Sequence, residues 1–219
     1  MIIDRFGARD QDVASLSGRG RALLVLLAAG ACLVLGLVAG VGSKLADSAG
    51  ISWCGQFTSM LGAWVLMISF VAVTAGTAWT AAWRSALFMA AAMAGYYLQE
   101  RREILAVPQS ALAWLMLSVT AAPVFAALVQ PARGRGVAAG LSLALPVSVL
   151  VAEAWPGVAA GGVPSGSDLA NLLAALAFVL VVRPNPAKIA VAGAAVVPAV
   201  WVMLLIIDQL WSLIGSLGG

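Results

Sequence analysis

Four carboxylates stand inside or at the ends of long apolar stretches, where an ionisable group is costly and marks function by default. Asp208 interrupts the run VMLLIIDQLW with Gln209 beside it, and Glu153 lies in VLVAEAW. Asp168 stands three residues before Asn171 and shares a helical face with it, while Glu100 follows Tyr96, Tyr97 and Gln99. Asp208 and Glu153 are the candidate catalytic acids. Glu100, Asp168, Asn171, Tyr96, Tyr97, Trp155 and Gln209 are the candidate substrate-binding residues. Two carboxylates in one water-poor cavity resist ionising together, so such a pair can exchange a proton, bind a cation or act as a general acid.

Each acid also has a plainer reading. Asp168 follows Ser165, Gly166 and Ser167 at a helix start, where an acid caps free N–H groups and suits the positive dipole end. Glu100 and Glu103 flank Arg101 and Arg102 in what reads as a solvated ERRE turn. Glu153, beside Trp155, and Asp208, if the last helix is short, would lie in the headgroup layer.

Much other chemistry is excluded. The chain has no histidine, which removes histidine zinc sites, bis-histidine haem, a Ser-His-Asp triad and a histidine proton relay. Cys32 falls mid-span and Cys54 near a surface, neither with a cysteine or histidine neighbour, so no disulfide, metal site or redox couple is expected. A phosphate-binding glycine loop, a CxxC and a basic patch interleaved with aromatics are all missing, so neither a cofactor nor nucleic acid is expected.

The elements that carry these residues follow from composition. Of 219 residues, 63% are hydrophobic and 10% charged. Soluble domains carry roughly a quarter charged residues, so the 12 basic and 9 acidic side chains cannot clothe a water-facing surface. The sequence predicts an all-α integral membrane helix bundle in contact with the lipid bilayer. A spanning helix needs about 20 apolar residues, and seven stretches approach that: 22–42, 57–78, 85–99, 108–130, 137–155, 168–183 and 188–211. Residues 1–21 form a polar, mixed-charge cytoplasmic tail, and 22–219 a single transmembrane domain. The run from Ala22 to Gly42 exceeds the apolar core of a cleaved signal and is taken as a retained span.

Orientation follows from the basic residues, which collect in cytoplasmic loops. An inside amino terminus puts nine of the 12 on the cytoplasmic side, leaving Lys44, Arg101 and Arg102 outside; six of the nine acids fall at the outer ends. The expectation is seven helices, N-in and C-out. Trp79 and Trp83 mark an inner belt and Trp53, Trp155 and Trp211 an outer one, while Trp64 and Trp201 sit mid-span as core or cavity residues. The third and sixth spans are short. Pro123, Pro146 and Pro198 kink helices four, five and seven, with Ser118, Thr120, Ser142 and Ser148 at hand to satisfy freed carbonyls. The stretch Pro156 to Ser167 reads as an irregular outer loop, the best lid in the chain.

Small residues indicate packing. Ala28, Cys32, Gly36 and Gly40 form one stripe, and Ala86, Ala90 and Ala94 another, either for packing inside the bundle or, through Gly36 and Gly40, for a homo-oligomer or membrane partner. The order Lys44-Leu45-Ala46-Asp47, Leu61-Gly62-Ala63-Trp64, Arg84-Ser85-Ala86-Leu87 and Ala94-Gly95-Tyr96-Tyr97-Leu98 resembles a family of small polytopic membrane proteins of unknown function from actinobacteria and firmicutes, over residues 22–98. That resemblance implies a bacterial inner membrane and conveys no activity.

Three functions follow. The first is a carrier or binding protein for a small hydrophobic or cationic molecule, working through Asp208 and Glu153. The second, by analogy of architecture with seven-helix terpene cyclases, is an enzyme using the acids on a prenyl substrate, with Tyr96, Tyr97, Trp114, Trp155 and Trp201 facing carbocations. The third is a non-catalytic subunit or assembly factor.

Overall fold

The computed structural model describes residues 18–50, 56, 60–100, 109–159, 161 and 163–218. The segments 1–17, 51–55 and 101–108 lie outside the described residues, and with them the tail, Trp53, Cys54 and the Arg101 to Glu103 turn; the side chains of Glu100 and Trp211 do too. Among the described residues the secondary structure is helical, with no strand. The helices are α1 (Gly18–Ser48), α2 (Leu61–Val73), α3 (Ala78–Glu100), α4 (Gln109–Val119), α5 (Ala121–Val129), α6 (Val137–Ala159), α7 (Gly166–Val182) and α8 (Pro186–Gly218), with a 3-10 turn over Gln130–Arg133. Four apolar stretches are long enough to cross a membrane: Ala22–Ser48, Trp114–Arg133, Val137–Ala159 and Pro186–Gln209.

The centre of the bundle is α2, 13 residues of LGAWVLMISFVAV. A helix apolar on every side must be covered on every side, and α2 touches α3, α5, α6 and α7. Trp64, Ile68, Ala72 and Val73 join Phe88, Met89 and Ala92 of α3, Ala122 and Ala126 of α5, Leu143 of α6 and Phe178 of α7 in one core. The Phe70 and Phe178 rings meet edge to face at 5.7 Å. Trp64 is a core residue, as expected. Trp201 is not: it is 64% exposed, because α8 packs along one side only, on α6 and α4.

Several element limits differ from the sequence expectation for identifiable reasons. The second helix begins at Leu61 rather than 57 and ends at Val73. The third starts at Ala78, seven residues early, because Thr77 Oγ1 accepts from the Thr80 N–H and caps it. The fourth span is two helices parted at Thr120, three residues before Pro123. Proline belongs in a first helical turn and cannot bond back to the preceding one. The hydroxyls of Ser118 and Thr120 donate to the Trp114 and Met116 carbonyls beside this break. The fifth helix continues through Pro156 to Ala159, so the outer connection is shorter than the expected Pro156 to Ser167 lid.

Close approaches between helices fix their directions. Gly36 lies on Phe88 and Ala91, Gly40 on Ala92 and Tyr96, and Gly95 on Leu37, so α1 and α3 run side by side in the same direction. The stripe on α1 is therefore used inside the chain: Gly36 and Gly40 are covered by α3, the intramolecular of its two expected uses. Gly140 lies on Lys188 and Val191, which pairs the starts of α6 and α8. Lys188, buried, donates from Nζ to the Ala132 carbonyl at 2.9 Å, and Gln130 Nε2 reaches the Ala75 carbonyl at 3.3 Å. These contacts gather Arg133, Arg135, Arg183 and Lys188 at one end of the bundle and Glu153 and Asp168 at the other.

Close backbone approach at Gly40 leaves no room for a side chain, since a Cβ there would collide with the Ala92 carbonyl, whereas nothing lies within 4 Å of one on Gly30. Gly40→Ala is expected to destabilise by about 1–3 kcal/mol through overpacking, and Gly30→Ala to be neutral or stabilising. Thermal midpoints in detergent check both.

Candidate functional site

The first amide hydrogens of any helix have no partner within it. At α2 the problem is acute, because Gly62 in its first turn is buried and the side chain of the N-cap residue, Met60, makes no hydrogen bond to the helix start. The acceptor arrives from another helix. Glu153 Oε1 accepts from the Leu61 N–H at 2.8 Å and Oε2 from the Gly62 N–H at 2.6 Å. One carboxylate thus closes two of the free donors, at the positive end of the helix dipole. Among the described residues no Lys or Arg lies within ion-pair distance of it.

Asn171 of α7 completes the site. Its side chain is fully buried; Nδ2 donates to Met60 Sδ at 3.5 Å, and Oδ1 has no partner. A Cβ on Gly62 would lie 2.5 Å from Glu153 Oε2 and 2.6 Å from Asn171 Oδ1. Glycine is therefore required there, and the two oxygens face each other across it. Leu150 closes the apolar side, 3.0 Å from the same point.

Asp168, one turn before Asn171, is occupied elsewhere. Its amide donates to Ser165 Oγ at 3.2 Å and its Oδ2 accepts from the Ser165 N–H at 2.8 Å, a complete capping box at the start of α7. Gly157 lets the carboxylate press against the end of α6. Ser167 Oγ donates to Gln56 Oε1 at 3.3 Å. The capping alternative describes Asp168, and its carboxylate is held by its own helix.

The remaining expected site residues are not gathered here. Tyr96 donates from its hydroxyl to Asp47 Oδ2 at 2.6 Å, with Lys44 Nζ 5.3 Å from its ring centroid and Tyr97 edge-on at 5.2 Å, a separate polar cluster joining α1 and α3. Trp155 is 43% exposed. Asp208 and Gln209 are exposed on α8. Asp208 is 22 residues beyond Pro186, about 33 Å at the helical rise of about 1.5 Å per residue, which exceeds a hydrocarbon core of about 30 Å. Among the acids whose side chains are described, Glu153 alone stands beside a buried polar atom without a partner, Asn171 Oδ1.

Sequence reasoning missed the backbone half of this site. Leu61 and Gly62 are 92 and 91 residues from Glu153, and no local pattern links them. The available signal was the absence of Ser, Thr, Asp or Asn at position 60, an uncapped helix start in need of a distant acceptor.

Comparison with protein-family models, curated proteins and solved structures finds no match.

Replacing Glu153 by Ala strips the acceptor from two part-buried amides, at up to about 1–3 kcal/mol each. Asp168→Ala removes one helix cap, worth about 1 kcal/mol. The expected order of destabilisation is Glu153→Ala greater than Asp168→Ala, with Asp208→Ala near zero. Equal losses in thermal unfolding at Glu153 and Asp208 would contradict the site geometry.

Proposed function

We propose that the chain is a seven-span protein of a bacterial inner (plasma) membrane, N-in and C-out, that serves as a carrier or binding protein for a small hydrophobic or cationic molecule, with Glu153 as its working carboxylate. The observation that carries this reading is the bidentate seat of Glu153 on the amino end of α2. With 13 residues, α2 is about 20 Å long, well short of a bilayer core of about 30 Å. Membrane carriers build substrate and ion sites from discontinuous helices of this kind, whose ends meet polar groups inside the bundle. An ionisable side chain at that depth, held by backbone rather than by a counter-ion, can exchange its partner when a ligand arrives.

The orientation draws on the separation of charge between the two ends. Basic residues mark the cytoplasmic face, which puts Lys188 and Arg133 inside and Glu153 towards the outside. Val163 is 95% exposed at the acidic end. In a chain with Cys32 and Cys54 replaced, Val163→Cys is expected to react with an impermeant maleimide in intact cells, and Gly134→Cys only after lysis. The reverse pattern inverts the topology.

The ligand reading is tested by native mass spectrometry with solvent extraction of purified wild type, Glu153→Gln and Asp208→Asn. A co-purified molecule should persist in Asp208→Asn and fall on the order of tenfold in Glu153→Gln, the loss of one charge-assisted contact. Equal retention in both variants removes Glu153 from the site.

A further inference from the structure

Two acceptors face one another in the core of this protein without a hydrogen between them. Asn171 Oδ1 is buried with no donor, and a buried acceptor left unsatisfied is costly unless something fills the role. Glu153 Oε2 lies across Gly62 from it, and the positions of both oxygens about one shared point put them within about 5 Å of each other. We propose that Glu153 and Asn171 together form a proton-binding site, in which the Glu153 carboxyl carries the proton and donates it to Asn171 Oδ1. The inference rests on the reading of Glu153 as the working carboxylate and names the ion that operates it.

A metal cation fits the neighbourhood poorly. Hard cations such as calcium or magnesium require six or more oxygen ligands, whereas the other groups at this point are the Met60 thioether and the Leu150 side chain. A proton needs one donor and one acceptor, and both are present. The titratable surroundings are sparse. Asp168 is the one other acid facing from α7 and is held in its capping box; the described residues of α2 carry none, α6 carries no second acid, and Lys188 of α8 lies at the opposite end.

The chemistry of Asn171 suits both states. With the proton bound, its carbonyl accepts from the acid; with the proton released to water at the acidic end, the amide turns and offers Nδ2 to the carboxylate. Proton occupancy also changes the hold on α2. Charge-assisted hydrogen bonds are roughly twice as strong as neutral ones, so the protonated acid grips the Leu61 and Gly62 amides less firmly and the amino end of α2 is freer to move.

The test is infrared difference spectroscopy across a pH titration of the purified full chain. The expected result is a carboxylic-acid carbonyl band in wild type that is lost in Glu153→Gln and displaced to higher frequency in Asn171→Leu, where the acceptor is gone. A wild type without this band over the pH range in which it stays folded overturns the proposal, whatever the variants do. So does a band unmoved by Asn171→Leu. The proton site and the carrier reading fail separately: no band, with a co-purified molecule still lost in Glu153→Gln, ends the first alone, and a band with the expected behaviour but no bound molecule supports the first and ends the second.

Discussion

A helix that starts inside a packed bundle has amide hydrogens that neither water nor its own backbone can satisfy, and the arrangement of the remaining helices must answer that need. In this protein α2 starts that way. Its amino end is met by Glu153, and it is central because it is apolar all round. Bringing Glu153 to Leu61 and Gly62 fixes α6 against α2, and the same point of contact seats Asn171 and so fixes α7. The core of Trp64, Ile68, Phe88, Leu143 and Phe178 fills in behind this join.

Around that centre the terminal helices are held by narrow seams. α1 is joined to α3 along Gly36, Gly40 and Gly95, where backbone touches backbone, and α8 is joined to α6 and α4 along one side. Dispersion across close contacts is the attraction available when lipid competes equally for apolar surface. What these helices do not use for packing they expose: Leu26, Val34 and Val38 on α1 and Val197, Trp201 and Leu205 on α8 are each more than half exposed. That distribution, apolar outside and small or polar at the seams, is compatible with a bilayer.

The acids illustrate how packing sorts candidates of equal standing. Asp208 interrupts the more apolar run and stood out in the sequence, yet it points outward near the end of a peripheral helix. Glu153, set beside Trp155 as if at an interface, turns inward onto a helix terminus. Asp168 had a local explanation, a serine three residues before it, and that explanation describes it. Interactions within four residues were legible because helical geometry fixes them. The break before Pro123 and the start of α3 at Thr77 belong nearly to that class, but the competition between a cap and a continuing apolar run was decided by neighbours.

Composition and charge by themselves determined that the chain is helical, apolar beyond what water tolerates, and divided into segments with basic and acidic ends; these are sums over many residues and need no knowledge of contacts. The small-residue stripe on α1 was equally plain, though not its partner. Only the tertiary structure decided that α3 covers the stripe, that Lys188 reaches back to Ala132, and that Glu153, Gly62 and Asn171 meet. The contacts of Lys188 with Ala132 and of Glu153 with Gly62 join residues more than fifty positions apart, and a carboxylate that bonds to backbone amides leaves no mark on the side chains it chooses, save the glycine that must make room for it.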